Sequence, residues 1–207
     1  MIEFWTNPMS RGQIAHWMME ELGQPYTTNW LDWGPGGNKS ENYLSVNPMG
    51  KVPAIRHDGK VVTEAAAICL YLAEAFPQAN LKADAAGLAD YYRYTFFCAG
   101  PIEQAITANS MKWEVPEGRD MMAGFGTFEN AVNALEKMLS DRDYVCGKTF
   151  TAADVYVGSS VDWGLAFKSM PSRPAFEAYA ERLRARPAYK SFKAINAART
   201  AEVQAKS

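Results

Sequence analysis

The residues best equipped for chemistry lie early in the chain. Thr-Asn-Pro-Met-Ser-Arg-Gly, at 6–12, offers two hydroxyls in Thr6 and Ser10, a side-chain amide in Asn7 and a cation in Arg11. The stretch separates a short strand pattern, "IEFW" at 2–5, from a helical one, so its donors stand at the mouth of a helix. Helix starts carry unpaired N–H groups and partial positive charge, and a hydroxyl beside them can hold an anion. The same position makes Ser10 a good N-cap for a helix starting at Arg11. The two roles compete for one side chain. No tyrosine or cysteine occurs between Met1 and Gln24.

A second stretch, "NPMGKVPAI" at 47–55, places Pro53 inside a run of strand formers. Proline gives no N–H to a sheet ladder, so it belongs at an edge, a strand start or a bend. Further on, Glu64 opens an alanine-rich helix. An acidic residue at that position suits the helix dipole.

The rest of the composition narrows the possibilities. The chain has 207 residues, 48% of them hydrophobic and 21% charged, with a formal net charge of -2. That is an ordinary soluble globular composition and argues against a nucleic-acid binder. The longest apolar run, Ala65 to Ala73, is too short to span a bilayer. No secretory signal opens the chain, and Cys69, Cys98 and Cys146 are too scattered for a disulfide framework. Reduced thiols in a cytoplasmic protein follow. His16 and His57 are isolated, and no metal site is expected.

These groups must be positioned by secondary structure. Ile14, Ala15, Trp17, Met18 and Leu22 recur at helical spacing over 11–22, and Gly23 and Pro25 stop that helix. A second strand is expected at 26–30 and a helical turn near 41–46. Asp58-Gly59 between two β-rich runs predicts a hairpin, and a buried helix follows over 64–76. The order β-α-β-α-β-β-α predicts parallel crossovers among the first three strands and an antiparallel fourth. The polar stretch 77–87 is the expected boundary. Beyond it only helices are expected, near 86–109, 118–141, 152–168, 173–184 and 188–198, the first broken at Pro101. "TAAD" at 151–154 has the form of a capping box.

Three motifs in this order resemble the cytosolic glutathione transferase family, of the bacterial and serine-type kind. They are "GKVPAI" at 50–55, "TEAAAICLYLAE" at 63–74 and "FTAADV" at 150–155. The resemblance covers the whole chain. It implies an α/β thioredoxin-like N-terminal domain over 1–78 and an all-α domain over 86–207.

It also implies a cis Val52–Pro53 bond that turns the backbone groups of Val52 toward the cysteine of glutathione. Glu64 and Ala65 would then take the γ-glutamyl end, and Lys39 or Lys51 the glycine carboxylate. The sulfur would meet Ser10, with Asn7 and Thr6 as alternatives. Where the family usually has serine, this chain has Ala65. A hydrophobic electrophile would bind against Met9, Phe97, Met111 and Trp113. The resemblance further implies a homodimer, with Arg93 a candidate for its interface, and a role in detoxification. Glutathione-dependent isomerisation, peroxide reduction or disulfide reduction are alternative chemistries on the same frame. A non-enzymatic interaction module is an alternative of another class.

Overall fold

The structure, a computed structural model, describes residues 1–205. Backbone proximity divides the chain into two compact units. One comprises Met1–Asn80 joined by the C-terminal segment that starts at Ala185, and the other is Leu81–Arg184.

The first unit is built on a four-stranded sheet in the order β2-β1-β3-β4. The strands are β1 (Ile2–Thr6), β2 (Tyr26–Trp30), β3 (Ala54–His57) and β4 (Lys60–Thr63). Between them run α1 (Gly12–Leu22) and the single turn α2 (Glu41–Leu44), and α3 (Ala65–Ala75) follows β4. Alternation along β1 sends neighbouring side chains to opposite faces. Phe4 meets the ring of His16 on α1, while Trp5 packs with Tyr43, Val46 and Ala54 on the other side. Trp17, Met18, Ile68 and Leu72 on α1 and α3 are fully buried, and burying an apolar side chain of this size stabilises by roughly 1.5–3 kcal/mol.

β1 and β2 are parallel, but β3 runs antiparallel to β1, with Trp5 opposite Ala54. The expected third parallel strand is therefore corrected. A parallel return needs a crossover element, and a four-residue helix is too short to lay across a sheet face. The β3–β4 hairpin turns at Asp58 and Gly59, both at positive φ, as that dipeptide allows.

The C-terminal helix differs from the sequence expectation in its allegiance. α9 (Pro187–Gln204) packs on α1 rather than grouping with the helical unit. Its Phe192 stacks on Trp17, with ring centroids 5.8 Å apart, and Tyr189 meets the same indole edge-on. Arg186 forms a two-pronged ion pair with Glu21 at 2.6 and 2.7 Å.

The second unit contains α4 (Leu88–Phe97), α5 (Glu103–Met111), α6 (Phe128–Leu139), α7 (Ala152–Ala166) and α8 (Pro174–Arg184). A π-helical turn, Cys98–Ile102, joins α4 to α5 where Pro101 interrupts the hydrogen-bond ladder. α7 is apolar nearly all round and forms the centre of the unit. At its N-terminus Asp154 accepts from the Thr151 N–H at 2.8 Å. The helix expected from 118 starts only at 128. Pro116, Gly118, Gly124 and Gly126 break the preceding stretch, and the Thr127 hydroxyl caps the helix by accepting from the Asn130 N–H.

Candidate functional site

The sheet register gathers the candidate residues of the first unit at one end. β1 ends beside the end of β2, with Thr6 opposite Trp30. β3 begins beside the end of β1, and β4 ends where β3 begins, with Thr63 opposite Ala54. The loops after β1, β2 and β4 and the segment entering β3 therefore meet at the same edge. They carry Asn7–Arg11, Leu31–Lys39, Glu64–Ala65 and Lys51–Pro53.

After β1, Asn7 organises the turn. Its Oδ1 accepts from the Met9 N–H at 2.9 Å and its Nδ2 donates to the Leu31 carbonyl at 2.8 Å. Asn7 is only 3% exposed, and Thr6 is fully buried. The Thr6 hydroxyl oxygen has no hydrogen-bond partner among the described residues. A Cβ on Gly12 would lie 2.0 Å from it, so only glycine fits there. Of the three candidate donors, Ser10 alone reaches the surface in part. Its hydroxyl donates to the Asn7 carbonyl at 2.7 Å and accepts from the Gly12 N–H at 3.0 Å. It thus serves the first turn of α1, as a capping serine does.

The Val52–Pro53 peptide bond is cis. No hydrogen bond joins the Val52 N–H or C=O to another described residue. Glu64 has φ 64°, in the left-handed region that a Cβ disfavours by about 1–2 kcal/mol. Such outliers concentrate at sites where the surrounding fold enforces them. α3 starts at Ala65 with no side-chain cap, which leaves its first N–H groups available to an anion. Lys39 donates its ammonium to the Met49 carbonyl at 3.0 Å, and the Lys51 side chain is exposed.

Met9, on the same turn as Ser10, is 51% exposed. The other apolar candidates belong to the second unit. Phe97 ends α4 half-buried, while Met111 and Trp113, at and just past the end of α5, are 57% and 62% exposed. Arg93 is exposed on α4 with its guanidinium over the Tyr94 ring.

The cysteines lie outside the loop cluster. Burial raises the Cys69 and Cys98 thiols well above their usual range and pushes Cys146 up to about 11, so none is poised as a thiolate. Among the described residues no group of three or more His, Cys, Asp or Glu is placed to hold a metal ion, and no helix is long and apolar enough to cross a membrane.

Three residues at this edge escape a reading of the sequence: Asn38, Tyr43 and Asn47. All three are buried and donate to backbone carbonyls of the 50–51 segment. One signal does point to Asn47. The tripeptide Asn-Pro-Met occurs twice, at 7–9 and 47–49, and each copy folds the same way. The asparagine Oδ1 accepts from the methionine N–H, and the Nδ2 reaches a carbonyl of a neighbouring segment.

Comparison with known proteins agrees with the three motifs. The glutathione S-transferase N-terminal domain model matches residues 9–75, and the corresponding C-terminal domain model matches 91–187. The chain is 26% identical over 191 residues to glutathione S-transferase GstA of Escherichia coli O157:H7, covering 90% of this chain and 94% of that protein. It is 30% identical over 178 residues to glutathione S-transferase A of Pleuronectes platessa, covering 81% and 79%. A sphingomonad glutathione S-transferase solved in complex with glutathione superposes with TM-score 0.76 at 25% identity, over 94% of this chain and 98% of that one. Two domain models that together span most of the sequence, and a fold shared nearly end to end, place this chain in the glutathione S-transferase family.

Proposed function

We propose that the loop cluster binds glutathione and activates its thiol for attack on a hydrophobic electrophile. The observation that carries this reading is the Val52 peptide group, whose N–H and C=O have no partner among the described residues although the sheet begins two residues on. An extended peptide can pair with such a backbone as a short antiparallel strand. The cysteinyl residue of glutathione has the matching donor and acceptor. The uncapped start of α3 then takes the γ-glutamyl carboxylate at the Ala65 N–H, and Glu64 accepts from the ammonium. Lys51 or Lys39 pairs with the glycine carboxylate. The sphingomonad relative solved with glutathione supports the choice of ligand.

The sulfur lies toward Ser10 in this reading. A free thiol has a pKa near 8.5, and each unit of lowering takes about 1.36 kcal/mol of preferential thiolate stabilisation. A hydroxyl donated to the anion at the mouth of α1 is of that order. The thiol proton passes to solvent, the thiolate forms the sulfur–carbon bond, and the leaving group departs with its electron pair. The electrophile is apolar in this reading, in keeping with the exposed Met9 on the same turn as Ser10. A cytoplasmic homodimer working in detoxification completes the proposal.

The test is calorimetric titration of glutathione into the protein, followed by the ultraviolet absorbance of bound thiolate against pH. Binding with thiolate present below pH 7 supports the reading. Absence of binding overturns it and favours an interaction module.

A further inference from the structure

Three consecutive carbonyls lead into the Val52–Pro53 segment, and side chains from just upstream hold all of them. The Met49 oxygen accepts from Lys39 Nζ at 3.0 Å, and the Gly50 oxygen accepts from Asn38 Nδ2 at 2.8 Å. The Lys51 oxygen accepts twice, from the Tyr43 hydroxyl at 2.5 Å and from Asn47 Nδ2 at 2.7 Å. Two donors occupy both lone pairs of that carbonyl. Each donor is itself fixed. Tyr43 is 2% exposed and packed against Trp5, Val46 and Ala54. Asn47 is 5% exposed, with its Oδ1 tied to the Met49 N–H at 3.1 Å. Gly50 lets the chain close on this arrangement: its φ is 59°, and a Cβ there would stand 2.7 Å from the Asn38 carbonyl oxygen.

The consequence lies in the next atom of the chain. The bond between Lys51 and Val52 is an ordinary trans peptide, in which C=O and N–H point in opposite directions. Tethering the Lys51 oxygen to buried donors therefore turns the Val52 N–H outward, away from Tyr43 and Asn47. We propose that Tyr43 and Asn47 are positioning residues that aim the Val52 N–H at the cysteinyl carbonyl of glutathione. The inference rests on the glutathione site proposed above and adds how its central peptide group is preorganised. Without the two donors the 51–52 peptide can rotate, and binding must first restrict it. Burial raises the Tyr43 hydroxyl to about 12, so it remains a donor throughout the neutral range.

The experiment compares wild type, Tyr43→Phe, Asn47→Ala and the double variant. It reads glutathione affinity by calorimetry, the pH midpoint of bound thiolate by absorbance, and the melting temperature. Each single variant is expected to weaken glutathione binding by roughly five- to tenfold, the scale of one lost hydrogen bond. The double variant should be weaker than either, and the thiolate midpoint should stay at its wild-type value. Tyr43→Phe keeps the packed ring, so its result decides the matter if Asn47→Ala fails to fold. Affinity within twofold of wild type in a folded Tyr43→Phe overturns the inference. So does a thiolate midpoint that shifts together with affinity, which would mean general loosening of the site. A wild type that fails to bind glutathione is a separate result, and it overturns the proposed site itself.

Discussion

The Ser10 hydroxyl donates to the carbonyl of Asn7, three residues back, at 2.7 Å, and so its one proton is engaged in the turn. Activating a bound sulfur requires that proton to leave the Asn7 oxygen for the thiolate. An anion is the stronger acceptor, so the exchange is favourable once the ligand is seated. Ser10→Ala should raise the bound thiol's pKa by about one to two units, as expected from loss of a charge-assisted hydrogen bond. It should also cost about 1 kcal/mol of stability, because the Gly12 N–H loses its acceptor. A variant that melts earlier yet keeps the wild-type thiolate titration would assign Ser10 to the helix start alone.

Ala65 opens α3 without a side-chain cap. Ala65→Ser adds a hydroxyl beside the N–H proposed to hold the γ-glutamyl carboxylate. Glutathione should bind up to roughly tenfold tighter, the scale of one further hydrogen bond to a charged group. Equal affinity in the two proteins would place the carboxylate elsewhere.

What the sequence discloses here depends on how local the cause is. The β3–β4 hairpin is legible because Asp58 and Gly59 themselves adopt the positive φ that the turn needs. The start of α7 is legible because Thr151 and Asp154 sit three residues apart. The direction of β3 is not, since it depends on whether α2 is long enough to cross the sheet, and one turn of helix looks much like two in a periodicity. Nor is the allegiance of α9, which depends on Phe192 and Tyr189 meeting Trp17, residues some 170 positions away in the chain. At the candidate site, the motif around Pro53 was visible while its supports were not. Tyr43 and Asn47 have unremarkable types at unremarkable spacing until the fold turns them toward the Lys51 oxygen.

His16 ties α1 to α9 through a buried chain of hydrogen bonds. Tyr26 donates to Glu20 Oε1 at 2.6 Å, so the tyrosine oxygen accepts from His16 Nε2, 2.9 Å away. His16 Nδ1 is then the unprotonated nitrogen and accepts from Asn196 Nδ2 at 2.8 Å. Burial lowers the His16 pKa below 6.5, against the opposing influence of Glu20 and of the Asn196 contact. Ser191 also binds Glu20, and Arg186 neutralises Glu21 nearby. A histidine held neutral in the fold contributes stability fully above 6.5. That contribution is lost as pH falls from 6.5 toward the lowered folded value, because the unfolded chain takes up the proton first. The melting temperature should therefore drop on acidification through this window, and His16→Gln should flatten the slope. Parallel wild-type and variant curves would show that His16 does not titrate there.

Asp154 gives the opposite sign in the second unit. Its carboxylate is fully buried and receives four hydrogen bonds: from the Val145 N–H at 2.7 Å, the Thr151 N–H at 2.8 Å, the Thr151 hydroxyl at 3.0 Å and the Tyr179 hydroxyl at 2.8 Å. Burial outweighs those donors and pushes its pKa from 3.8 up to about 6. Between these two values the folded chain holds the proton more firmly than the unfolded one. The contribution of this group to stability therefore declines as pH rises from 3.8 to 6. Asp154→Asn removes that slope while keeping one acceptor in place, and it should be moderately destabilised at neutral pH because its amide group faces donors. Asp154→Ala strands four buried donors at about 1–3 kcal/mol each, a large part of the 5–15 kcal/mol that holds a typical domain together. It should fail to give a cooperative melt for the helical unit. Thermal unfolding of the two variants and wild type across pH 4 to 7 checks both statements. If Asp154→Ala melts within a few degrees of wild type, the four hydrogen bonds are not what joins the start of α7 to Val145 and α8.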